Sequence, residues 1–199
     1  MITEALFLRG RVNPSDTVAR QYTESNLGIS AMIELGVLAL FPLCMAFAAS
    51  SDILTMKIPN RLSILLVVGF VVFAIAVGAS AQTITWHIAC GLLVLLVTFA
   101  MFSFGWMGGG DAKLAAATAV WMGWSSVLDY TLLAAILGGV LTLGLLAARN
   151  WPLPPRLMSQ AWLARLHDKK TGIPYGVALA AAGLLIYPQT LVWTAAIGA

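Results

Sequence analysis

The sequence predicts an all-α integral membrane protein with six transmembrane helices and both termini outside the cytoplasm. Three observations carry this. Of the 199 residues, 60% are hydrophobic and only 10% are charged, where a soluble domain carries roughly 25% charged residues. The mean hydropathy is +0.92, so there is too little polar surface to cover a globule in water. The apolar residues also fall into runs long enough to span a bilayer, which takes about 20 residues.

Residues 1–26 form a polar N-terminal tail of mixed charge, with Arg9, Arg11 and Arg20 against Glu4, Asp16 and Glu24. The apolar stretch from Ala5 to Leu8 is too short for the core of a cleavable signal peptide. Residues 27–199 form one membrane domain. Its first run is 27–49, with Glu34 near the start and Ser50-Ser51-Asp52 at the end. Lys57-Ile58-Pro59-Asn60-Arg61 follows, and Pro59 disfavours helical geometry at the residue before it. The second run is 62–79, residues 79–85 read as a turn, and the third run, 86–104, opens on Trp86 and His87. Residues 105–110 break the helix. The stretch 112–148 is too long for one crossing and suits two, with Gly123, Ser125, Ser126 and Asp129 marking the reversal. A polar loop over 149–174 carries Arg149, Arg156, Arg165, Lys169 and Lys170, and Pro152, Pro154 and Pro155 keep its start non-helical. The last run is 175–197. Cys44 and Cys90 sit inside apolar runs without CxxC spacing or nearby histidines. They read as small hydrophobes, and no metal site is expected.

Orientation follows from the basic residues. One side holds Lys57, Arg61, Lys113, Arg149, Arg156, Arg165, Lys169 and Lys170, and the other only Arg9, Arg11 and Arg20. Positive residues favour the cytoplasmic side, which places the 50–61, 105–113 and 149–174 segments there. The net charge of +3 is thus an orientation signal, and no nucleic-acid partner is implied.

The chain has only 8 acidic residues, and an ionisable group at a bilayer is a functional candidate by default. Asp111 closes the run Gly108-Gly109-Gly110, where the absence of Cβ atoms lets another backbone come close. On the predicted topology only Asp52 and Asp168 share its face. Asp168 stands beside Lys169 and Lys170 and reads as a solvated charge. Asp52 ends the first helix, where a bundle can hold it rigidly. Two aspartates held a few ångströms apart share one proton. The ionised member can activate a water, while the protonated member polarises a carbonyl and later protonates the leaving amine. On the residues alone three readings stand: peptide hydrolysis, proton or ion handling, and helix capping.

The motifs resemble those of a known family. Gly108-Gly109-Gly110-Asp111 resembles the GxGD signature of membrane-embedded aspartyl proteases, and the stretch from Met107 to Leu114 resembles that of bacterial type IV prepilin peptidases. Asp52 ahead of Lys57-Ile58-Pro59-Asn60 is similar to the family's other catalytic segment. Pro174-Tyr175-Gly176-Val177-Ala178, with Gly183 beyond, is similar to its last-helix motif. The resemblance implies a multi-pass protein of the bacterial inner membrane with catalytic Asp52 and Asp111 facing the cytoplasm. It implies a prepilin substrate, cleaved ahead of its apolar stretch, with membrane lipid around the enzyme and no cofactor. Larger members carry a cytoplasmic insertion with zinc-binding cysteine pairs, which is missing here, so the chain looks like the short subfamily serving Flp-type pili. Larger members also methylate the new pilin N-terminus, and nothing in this sequence marks such a site.

Several residues around the motifs have a bland reading beside a functional one. Lys57 and Arg61 read as interfacial anchors. Asn60 reads as a turn residue bonding local backbone, or as positioning Asp52. Lys113 reads as an anchor, because two residues apart on a helix its side chain diverges from that of Asp111. Tyr175 reads either as a hydrogen-bonding neighbour of the aspartates or as an interfacial tyrosine. Gly108, Gly110 and Pro59 support the motifs. Gly138, Gly139, Gly144 and Gly183 read as close-packing positions. His87 and His167 are not expected to be ligands. The rival functions are a proton-coupled membrane transporter, for which Glu34 is the only further acid, and a non-enzymatic pilus or secretion assembly subunit. The sequence leaves the oligomeric state open.

Overall fold

The computed structural model describes residues 14–152, 154, 156 and 159–198. Glu4, Arg9, Arg11 and Pro155 lie outside these residues, and Asp16, Arg20 and Glu24 are described by backbone alone. Every element described is helical: α1 (Pro14–Thr55), α2 (Asn60–Ala76), α3 (Ala81–Ser103), α4 (Gly109–Ala148), α5 (Ala161–His167), α6 (Tyr175–Ile186) and α7 (Leu191–Ile197), with a 3₁₀ turn at Tyr187–Gln189. The first apolar run begins inside α1 rather than at its start, since the polar residues from Pro14 onward continue the same helix.

Three details correct the sequence reading. Residues 81–85 are the first turn of α3, because Ser80 caps it by accepting a hydrogen bond from the Thr83 N–H at 3.1 Å. Such a serine is a start signal that outweighs a loop reading. The 149–174 segment contains the helix α5, whose Arg165 Nη1 donates 2.8 Å to the Leu54 carbonyl. This satisfies an orphan acceptor at the end of α1. The 175–197 run bends by 46° between its two helical parts. Pro188 lies in the intervening turn, and Thr190 is extended there, its Oγ1 donating to the Tyr187 carbonyl.

α4 folds back on itself. A straight helix would separate Asp111 from Thr142 by about 46 Å, yet the two line one cavity. The reversal is at Gly123, which has φ 62° and ψ −175°. This conformation is open essentially to glycine alone. The Val120 carbonyl, freed by the break, accepts from His87 Nδ1 at 2.8 Å, and Trp124 Nε1 donates 2.9 Å to the Trp86 carbonyl. A Cβ on Gly123 would also meet the His87 ring, 2.8 Å from Nδ1. Gly123→Ala is therefore expected to destabilise the fold by about 1–3 kcal/mol, read as a lowered thermal midpoint of the detergent-solubilised protein. An unchanged midpoint would show that the turn is not strained.

Ser30–Thr55, Ala81–Ser103 and Gly109–Ala148 are long and apolar enough to cross a membrane, and Tyr175–Gln189 with Leu191–Ile197 makes a fourth if the bent pair counts as one. α2 has 17 residues, about 26 Å of helix. Leu92, Leu96 and Phe99 of α3 and Leu128, Leu132, Ile136 and Leu143 of α4 are exposed. Contiguous apolar surface on this scale belongs in lipid rather than water, and the chain is a multi-pass membrane protein. The interior centres on Trp121, fully buried, which stands against Phe41 at 5.1 Å and donates 2.8 Å from Nε1 to the Leu66 carbonyl. Gly138 lies under the Tyr175 ring and Gly183 against Thr118 and Phe41, as close packing requires, whereas Gly139 and Gly144 face open space. Cys44 and Cys90 are buried free thiols, and no group of three metal-ligating side chains occurs among the described residues.

Candidate active site

Asp52 sits in the last turn of α1 and is buried, 5% exposed. The chain stops being helical just beyond it. Met56 adopts φ 55°, and Ser51 Oγ donates 2.7 Å to the Lys57 carbonyl. Thr55 Oγ1 donates 2.7 Å to the Ser51 carbonyl. These bonds fix the turn and bring Ile58 back into the bundle. There Ile58 touches two glycines. A Cβ on Gly110 would stand 3.3 Å from Ile58 Cβ, and one on Gly176 would stand 2.7 Å from Ile58 Cδ1. One isoleucine thus joins the three segments that carry the motifs.

Asp111 is the third residue of α4, after the N-cap Gly108. Its Oδ2 curls back to within 3.0 Å of where a Gly108 Cβ would be, so the glycine there leaves room for the carboxylate. At the start of α6 the N-cap is Pro174, which makes no side-chain cap. The Gly176 N–H donates instead to Asp52 Oδ2, at 2.7 Å. The capping reading is therefore realised in part, but across helices: Asp52 serves the N-terminus of α6. Asp111 lies in the first turn of its own helix and Asp52, at the end of α1, against the first turn of α6, where backbone donors and the helix dipole favour negative charge. Both aspartates line one cavity of about 830 Å³ together with Met101, Met107, Thr142 and Tyr175. Two carboxylates thus share one cavity, and the space is large enough for an extended peptide and a water.

The other singled-out residues surround this pair. Tyr175 walls the cavity with its ring, but its hydroxyl donates to the Ala134 carbonyl at 3.2 Å rather than to an aspartate. Asn60 does not bond local backbone. Its Oδ1 accepts from Lys113 Nζ at 2.9 Å, tying the start of α2 to the start of α4. Lys57 and Pro59 are exposed. Lys57 contributes its carbonyl to the turn, and Pro59 is the N-cap of α2. Asp168 is exposed and accepts from the Lys170 N–H at 2.9 Å, consistent with a solvated charge. Glu34 is exposed on α1. The sequence reading did not single out Gly176, Ile58 or Arg149 for the site. The first two stood inside quoted motifs, so the signal was there. Arg149, read as a loop cation, is 6% exposed and lines the cavity. It donates 2.9 Å to the Leu166 carbonyl and 3.0 Å to that of Gly172, which holds the loop at the cavity rim. Nothing in its sequence neighbourhood distinguishes it from the other basic residues.

Fold and site together define a helical membrane protein that brings two aspartates from distant helices into one cavity. The pattern of the type IV leader peptidase family matches residues 39–143, more than half of the chain. The protein belongs to this family and is a peptidase of the leader-processing type. The matched stretch contains Asp52, the Ile58-Pro59 turn and the Gly108-to-Asp111 segment, and it ends before α6. Comparison with curated proteins gave no match, and neither did comparison with solved structures.

Proposed function

We propose that this peptidase is an aspartyl endopeptidase with Asp52 and Asp111 as its catalytic pair. In this reading it removes the leader from Flp-like type IV prepilins at the cytoplasmic face of the bacterial inner membrane. The chain crosses the membrane six times, with α2 and both limbs of α4 as crossings, and both termini lie outside the cytoplasm. The supporting observation is the shared cavity: Asp52 and Asp111, 59 positions apart, face one space, and Asp52 is held there by the Gly176 N–H. No metal or cofactor is required. One carboxylate takes a proton from a cavity water, whose oxygen attacks the scissile carbonyl. The protonated partner hydrogen-bonds the carbonyl oxygen and then gives its proton to the departing amine as the C–N bond breaks. The pair works as a unit, so the two roles belong to the dyad rather than to fixed residues.

The transporter alternative gains nothing from the interior. Among the described residues, Met45, Phe41, Trp121 and Tyr187 are buried in an apolar core, and Glu34, the further acid a relay would need, is exposed. The test is to incubate the purified protein in liposomes with a Flp-type prepilin and measure product masses. The expected product lacks the leader and begins just ahead of the apolar stretch. A prepilin that keeps its full mass would refute the substrate assignment.

A further inference from the structure

A second cavity, of about 550 Å³, runs on from the catalytic one and shares Met101, Met107 and Tyr175 with it. Its walls are Leu93 and Val97 of α3 and Leu128 and Ala135 of the returning limb of α4, and its floor includes Ala115 and Leu179. Among the described residues, no charged side chain lines it. The threonine hydroxyls along it are taken up by backbone carbonyls: Thr98 Oγ1 donates 2.8 Å to that of Val94 and 3.3 Å to that of Ala112, and Thr131 Oγ1 3.0 Å to that of Leu128. The surface it presents is therefore apolar. It also opens sideways, since Leu128 is 70% and Val97 52% exposed. From Leu93 to Met101 the wall is about 12 Å long, enough for two turns of a helix.

We infer that this groove seats the apolar segment that follows the scissile bond of the substrate, entering laterally from the bilayer. The inference rests on the leader-peptidase reading of the site. Three features select this occupant. The substrate must carry an apolar stretch next to the cleaved bond, and this groove leads directly into the cavity with both aspartates. A membrane-held segment reaches it without leaving lipid, because the opening is lateral. An amphipathic or apolar helix is recognised by such a groove through side-chain packing along one face. Another apolar groove, about 320 Å³ and lined by Ser63, Ile64, Leu92 and Lys113, shares no residue with the catalytic cavity and provides the control.

The test uses the full-length protein in membranes with a Flp-type prepilin and a photo-crosslinking amino acid at Val97, Leu128 or Leu92. Val97 and Leu128 are expected to capture the prepilin through its apolar stretch, and Leu92 is not. In parallel, Leu128→Trp and Ala135→Trp, which fill the groove, are expected to raise KM roughly tenfold with little change in kcat, the pattern of lost uniform binding. Leu92→Trp leaves both unchanged. Adducts with lipid alone, equal capture from Leu92, or unchanged KM in the filled variants would overturn the groove assignment while wild-type cleavage keeps the peptidase reading. If the wild type does not cleave, the substrate assignment falls and this inference falls with it.

Discussion

Asp52→Asn and Asp111→Asn are each expected to reduce prepilin cleavage by at least about 10³-fold, with the double variant no worse than either single one. Asparagine keeps the size of aspartate but cannot carry the proton that the reaction moves. Positioned acid–base groups contribute roughly 10²–10⁴-fold each, and groups that act as a unit lose that contribution together rather than additively. The fold is expected to survive. In Asp111→Asn the side chain keeps its size and its oxygen acceptor in the first turn of α4. In Asp52→Asn the side-chain oxygen can still accept from the Gly176 N–H. Equal melting temperatures beside a lost rate would separate catalysis from stability. Additive losses in the double variant would mean that the two carboxylates act in separate steps.

Gly176→Val is expected to lower kcat/KM by about 10²-fold. A Cβ at this position would stand 2.8 Å from Asp52 Oδ2, 3.1 Å from its Cγ and 2.7 Å from Ile58 Cδ1. Ile58 can yield at the tip of its side chain, but the Asp52 carboxylate, bonded to the Gly176 N–H, has to shift from its place. A displacement on the order of 1 Å at the reacting groups is enough for a 10²-fold loss. Gly139→Ala is the matched control, since that glycine faces open space, and it should leave the rate unchanged. A Gly176→Val enzyme with wild-type kinetics would show that the position of the Asp52 carboxylate does not limit the reaction.

Much of this site could be read in the sequence because its parts are local. The glycines before Asp111 and the Ile-Pro turn after Asp52 are short patterns whose conformational demands follow from residue type. The reversal at Gly123 was legible for the same reason, since a glycine in an apolar stretch too long for one crossing marks a break. What the sequence hid is what depends on three dimensions. That Ile58 is the side chain on which Gly110 and Gly176 meet follows from packing of the turn after α1 against the starts of α4 and α6. The bond between Asn60 and Lys113 joins residues 53 positions apart, so a local turn rule could not find it. Arg149 is buried at the cavity rim, while its sequence context is that of any positive-inside residue. The helix α5 was missed because seven residues of mixed character inside a basic, proline-rich segment give no periodic signal. It gains its place through Arg165 at the end of α1.

The central claim is that two carboxylates, from the end of α1 and the start of α4, form one catalytic centre. The most direct measurement co-expresses a Flp-type prepilin with the wild type, Asp52→Asn, Asp111→Asn or Asp168→Asn and follows leader loss as a size shift. Asp168 is the control because it is an exposed acid whose Oδ1 is held by its own turn. The account predicts processing by the wild type and by Asp168→Asn, and none by the other two. Processing that persists in either Asp52→Asn or Asp111→Asn would contradict it.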